Sequence, residues 1–192
     1  MIDIALRLSG IALMVGAALL GVAIVLVSFV SVVNQPFPPR VSLLFLLAAI
    51  LLLLSLPAMY ARQAEAAGWL GLIGHVFLQT GVLLLVLVAG PFLRYPTRNL
   101  ILSENPILFL LGIALTLGLL LTGIATVLAG VYPRGAGILL AATAGFFFDF
   151  SVAEYLPRVT GQIGSAFFGV LLGLAFVWIG VVLWMSKPPL AV

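Results

Sequence analysis

The sequence predicts an all-α fold, a polytopic transmembrane helix bundle of six spans, and three observations carry the prediction. Of 192 residues, 65% are hydrophobic and only 7% are charged. An ordinary soluble domain carries about 25% charged residues, so a water-soluble globule is ruled out. The apolar residues form continuous runs, each near the ~20 residues a helix needs to cross a hydrocarbon core of about 30 Å. The strict alternation of a membrane barrel is missing.

The spans are expected at about 8–33, 41–59, 69–90, 106–131, 136–155 and 162–185, in one membrane domain covering 1–192. The apolar run that builds the first, 11–33, is longer than the roughly 7–15-residue core of a signal peptide and reads as a retained helix. Pro36, Pro38 and Pro39 end it, because proline removes a donor and restricts the residue before it. The polar stretch 60–68, YARQAEAAG, reads as the connection after the second span, and PFLRYPTRN as the one after the third. Ser103 and Asn105 ahead of Pro106 suit the start of the fourth helix, where a side-chain acceptor satisfies a free amide and proline is tolerated. YPRG separates the fourth span from the fifth, and LPRVTG the fifth from the sixth. Tyr60, Trp69, Tyr132 and Trp184 fall at one set of span ends and Phe92, Tyr95 and Tyr155 at the other, at the headgroup level that amphipathic rings prefer.

An even number of spans puts both termini on one face, with Arg7, Arg62, Arg134 and Lys187; Arg40, Arg94, Arg98 and Arg158 lie opposite. This balance gives no orientation by the excess of positive charge. The longer loops opposite the termini favour cytoplasmic termini in the cell (inner) membrane. The net charge of +3 comes without any basic run, which excludes nucleic-acid binding, and the absence of cysteine excludes disulfides, thiolate catalysis and iron–sulfur ligation.

Helices associate in lipid through close backbone approach, which favours small residues at helical spacing. Gly161, Ser165, Gly169 and Gly173 form one such ladder and Gly118, Thr122, Thr126 and Gly130 another. Both are expected to pack helices, within this bundle or against an oligomeric or protein partner.

An ionisable side chain inside a bilayer is costly, so each is a candidate for function. Asp149, in the fifth span among four phenylalanines, His75 and Gln79 form the candidate intramembrane polar site. By depth, Gln79 is the expected partner of Asp149 if the third and fifth spans touch. One histidine and no cysteine leave no bis-histidine haem or second metal ligand within the chain, so no cofactor and no metal are expected. No triad, H-E-x-x-H, carboxylate pair or phosphate-cradling loop occurs, and no enzyme activity is expected. Arg62 and Glu65 are three apart and suit an ion pair. Arg62 and Arg134, on one face, are candidate contacts for an anionic lipid headgroup.

Three stretches, LPAMYARQAEAAGWLGLIG at 56–74, AGVYPRGAGILL at 129–140 and AFVWIGVVLW at 175–184, resemble a family of uncharacterised bacterial multi-pass integral membrane proteins. Its signatures are a YARQAE loop before an AGxLGL helix and a PRxAG turn before a later one. The resemblance implies a multi-pass bundle and no activity; Gly135 stands where it implies an aromatic residue. The expected function is that of a non-enzymatic accessory or scaffold subunit, embedded in the lipid bilayer and packing against a protein partner or itself. The alternative is a small carrier or binding protein for an apolar or weakly polar solute or lipid.

Overall fold

The computed structural model describes residues 2–30, 39–94, 106–152 and 161–185, and these are helical apart from one short turn. The helices are α1 (Ile2–Val30), α2 (Pro39–Arg94), α3 (Pro106–Ala129), α4 (Arg134–Val152) and α5 (Gly161–Met185). Six separate spans are therefore not found. The discrepancy lies in α2, whose 56 residues run straight through the polar stretch read as a loop. Alanine, arginine, glutamine and glutamate are among the best helix formers, and polarity alone does not stop a helix.

What interrupts α2 is Gly68, with φ 55° and ψ −150°, a conformation open to glycine because it lacks a Cβ. The rings of Tyr60 and His75 stack with centroids 4.7 Å apart. On a straight helix those residues would be about 22 Å apart. On either side of the glycine, Gln63 reaches Thr126 and Gly74 lies against Thr122, one turn along the same neighbour. The chain therefore doubles back at Gly68, and α2 is a hairpin of two antiparallel limbs, 39–67 and 69–94.

Four runs are long and apolar enough to cross a membrane: Ile4–Ser28, Pro39–Gly90, Pro106–Ala129 and Ala166–Met185. The second has 52 residues, about 78 Å of helix at 1.5 Å per residue, more than twice a hydrocarbon core.

The elements pack in a ring: each helix lies against its neighbours in the chain, and α5 closes on α1 in the most extensive contact. Small residues permit this. A Cβ on Gly10 would come within 2.8 Å of the Gly180 carbonyl and the Trp184 amide, and one on Gly123 within 2.6 Å of the Gly137 carbonyl. Inside the ring lie Leu13, Leu56, Met59, Leu119, Leu140 and Ile179, all nearly inaccessible. Outside, every helix exposes large apolar side chains, among them Val15, Leu54, Leu83, Leu128, Ile138 and Leu174. A soluble bundle carries charge on that face; this is a surface for acyl chains.

The start of α1, the Gly68 turn, the α3–α4 turn and the end of α5 lie at one end of the ring, as the contacts Gly10–Trp184, Gly135–Trp178 and Gln63–Thr126 require. Trp69 and Trp184 are exposed at this end.

Candidate functional site

A group of buried polar residues lies near that end, where the α2 hairpin meets α3, while Ser28 and Ser42 are buried toward the other end. Gln63, in the first limb, is 1% exposed, and its Oε1 accepts a hydrogen bond of 3.3 Å from the Thr126 hydroxyl. Its Nε2 has no partner. Thr122, one turn deeper on the same stripe of α3, is fully buried, and its hydroxyl also lacks a partner. His75, in the second limb, is buried, stacked on Tyr60 and hydrogen-bonded to Gln79, with Nδ1 unpartnered. The two limbs of α2 and the facing α3 thus each carry a buried polar atom without a partner, as do Ser42 and Thr116, although most buried polar groups are paired.

Tyr132 links this region to the turn between α3 and α4. It is 2% exposed and donates a 3.0 Å hydrogen bond from its hydroxyl to the Met59 carbonyl. The Arg62 guanidinium lies 6.0 Å from its ring centroid, within cation–π range. Burial pushes the Tyr132 phenol above its ordinary pKa, and the charge of Arg62 partly opposes this. The phenol is therefore a neutral donor across the physiological range.

The expected ion pair between Arg62 and Glu65 does not form: Glu65 is exposed, and among the described residues Arg62 has no ion pair. Helical spacing brings the backbones together, but the guanidinium lies toward the Tyr132 ring. Arg134 is exposed at the first residue of α4, two positions after Tyr132.

Of the expected trio of Asp149, Gln79 and His75, the described residues join only the last two. His75 and Gln79 are neighbours on the second limb of α2, whereas Asp149 belongs to α4, which packs on α3 and α5. α2 and α4 both pack on α3 and make no extensive contact with each other among the described residues. The side chain of Asp149 lies outside the described residues, as do the surroundings of Gly161 and Ser165.

Of the ladder residues, Gly169 faces Gly21 and Ile24 of α1, and Gly173 faces Ala17. Gly118 lies against Leu78, and Thr122 against Gly74. Gly130 is no packing residue: it is exposed, with φ 63° and nothing within 4 Å of a Cβ. Its amide bonds the Thr126 carbonyl, so it ends α3 as a left-handed C-terminal residue. Gln63 and Tyr132 were read from the sequence as a loop residue and a headgroup aromatic. The signal for Gln63 was there, in the helix-forming composition of 60–67. Among the described residues no three His, Cys, Asp or Glu side chains group as a metal site would require.

The fold and its apolar exterior define the class: a helical bundle protein of the membrane. Comparison with protein families, with curated proteins and with solved structures yields no match, and the class statement therefore rests on the fold alone.

Proposed function

We propose that the chain is a non-enzymatic, multi-pass integral membrane protein that binds a small, weakly polar solute between the α2 hairpin and α3. The observation that carries this reading is the set of unpartnered polar atoms, Gln63 Nε2, Thr122 Oγ1 and His75 Nδ1. Leaving each unsatisfied costs about 1–3 kcal/mol, a cost that binding would recover. These atoms are sealed from solvent, so this is the closed state, and entry requires the limbs to part about the Gly68 turn. Leu56, Met59 and Leu119 are buried on the same two helices and no charged side chain is buried among the described residues, which suits a neutral solute bearing a carbonyl or hydroxyl.

The same proposal takes the path as six crossings. Each limb of α2 exceeds the ~20 residues needed, and α4, with 19 residues, spans about 28 Å. The termini then share a face, taken as cytoplasmic in the inner membrane of a bacterial cell, the setting that the family resemblance implies.

The test uses Thr122→Val, which keeps the shape and removes the hydroxyl. Purified protein is examined by native mass spectrometry for a retained small molecule and by thermal unfolding with neutral long-chain alcohols and diacylglycerol. The wild type is expected to be stabilised and the variant, equally folded, to lose the effect. Equal behaviour of the two proteins with every probe would remove the reading.

An accessory or scaffold role is the second reading. Of the ladders that suggested it, Gly118, Thr122, Gly169 and Gly173 pack inside the chain, but α4 leaves Ala142 and Gly145 exposed, and this face allows another helix to approach closely. The absence of cysteine makes disulfide cross-linking through Ala142→Cys a clean test. No covalent dimer or partner adduct under oxidation would end that reading.

A further inference from the structure

We infer that the end of the bundle carrying Tyr132 holds a phosphate ester, the headgroup of an anionic membrane lipid, between Arg62 and Arg134. The inference rests on the reading that this end meets a headgroup layer, and it is independent of the solute site beneath.

Arg62 and Arg134 come from different helices, and Tyr132 is the link between them: Arg62 lies over its ring, and Arg134 is two positions along the chain from it. Its ring is buried and tied to the Met59 carbonyl, and the Arg62 guanidinium lies over it while remaining half-buried. Arg134 follows two residues later and opens α4. Neither arginine has an ion pair among the described residues, and Glu65, the nearest acid in sequence, is exposed and does not meet Arg62. A half-buried guanidinium without a counter-ion is expensive, and Arg62 is in that position, with the exposed Arg134 two residues from the ring it lies over adding a second positive charge at the same end. The planar N–H fork of arginine matches phosphate oxygens in paired hydrogen bonds. The first turn of α4 contains no acidic side chain to compete for those donors. Trp69 and Trp184, exposed at the same end, set the headgroup level at which a lipid phosphate would lie.

A free phosphate compound offers the same chemistry, and the experiment separates the two sources. The full chain is reconstituted in nanodiscs of phosphatidylcholine with a minor share of phosphatidylglycerol, and the lipid retained through mild delipidation is counted by native mass spectrometry. Phosphatidylglycerol is expected to be enriched over phosphatidylcholine. Replacement by Arg62→Gln or Arg134→Gln should reduce the enrichment about fivefold each. Arg40→Gln, at the exposed start of α2 and the opposite end of the ring, should leave it unchanged. Arg62→Lys guards against a folding defect: it keeps the charge but loses the fork, and should fall between wild type and Arg62→Gln while showing unaltered helical circular dichroism. Full displacement of the lipid by glycerol phosphate would keep the phosphate site and overturn the lipid as its occupant. Equal retention of both lipids, or an effect of Arg40→Gln as large as that of Arg62→Gln, would overturn the site.

Discussion

Tyr132 joins three parts of the molecule through one side chain: its hydroxyl bonds the first limb of α2, its ring supports Arg62, and its backbone forms the turn into α4. Tyr132→Phe removes the hydroxyl and leaves the Met59 carbonyl with its helical partner only, so thermal unfolding in detergent should show a loss of about 1 kcal/mol. The same residue sets a pH dependence. Its pKa in the folded protein is raised above the unfolded value of about 10. A group of that kind gives its full stabilisation below the unfolded value and loses it as pH rises toward the folded one. Stability should therefore be flat in this respect up to about pH 10 and fall above it, and Tyr132→Phe should flatten that fall. An unchanged alkaline slope in the variant would show that another group is responsible. Tyr132 was legible in the sequence as an aromatic near a span end, but its role depends on a carbonyl 73 positions away, which no local pattern reports.

At the scale of the element, glycine acts in three ways here, and alanine substitution separates them. A Cβ on Gly118 would enter the backbone of Leu78, in the second limb of α2. Backbone cannot rotate aside, so α2 and α3 must separate, and Gly118→Ala should cost about 1–3 kcal/mol. Gly68 has open space around it but φ 55° and ψ −150°, so Gly68→Ala should cost about 1–3 kcal/mol through strain alone. Gly145 lies within α4, is exposed and has nothing within 4 Å. Gly145→Ala should therefore raise stability by up to about 1 kcal/mol through helix propensity. Thermal unfolding of the three variants in one detergent checks the order, and a Gly118→Ala protein as stable as the Gly145→Ala protein would refute the close approach of α2 and α3. The spacing of Gly118, Thr122 and Thr126 pointed to close packing but could not name the opposing helix. Gly130 shared the spacing and does something else, because a ladder counted in sequence does not report where its helix stops.

At the scale of the whole molecule, the doubling back of α2 decides which ends of the ring meet which side of a membrane. With no cysteine in the chain, single cysteines report this directly. Glu65→Cys and Arg134→Cys should react with an impermeant maleimide from one side, and Arg40→Cys from the other. If α2 crossed once without turning, position 65, about 38 Å along the helix from position 40, would not share the exposure of position 134. Protection at Glu65→Cys together with labelling at Arg134→Cys would contradict the hairpin.

Composition and the length of its apolar runs determined by themselves that this chain is all-α and suited to a membrane, because the cost of exposing apolar surface and unpaired backbone groups adds up residue by residue and needs no partner. Tertiary structure alone decided where the second run turns, since a helix through 60–67 and a loop there are both compatible with those residues. The choice falls to Gly68, to the stack of Tyr60 on His75 and to the fit of both limbs against α3. It also decided that Gln63 is buried beside Thr126, 63 positions away in the chain. Depth along a helix is a one-dimensional quantity that the sequence supplies, but which helix stands beside which is set by backbone approach at glycine contacts around a closed ring.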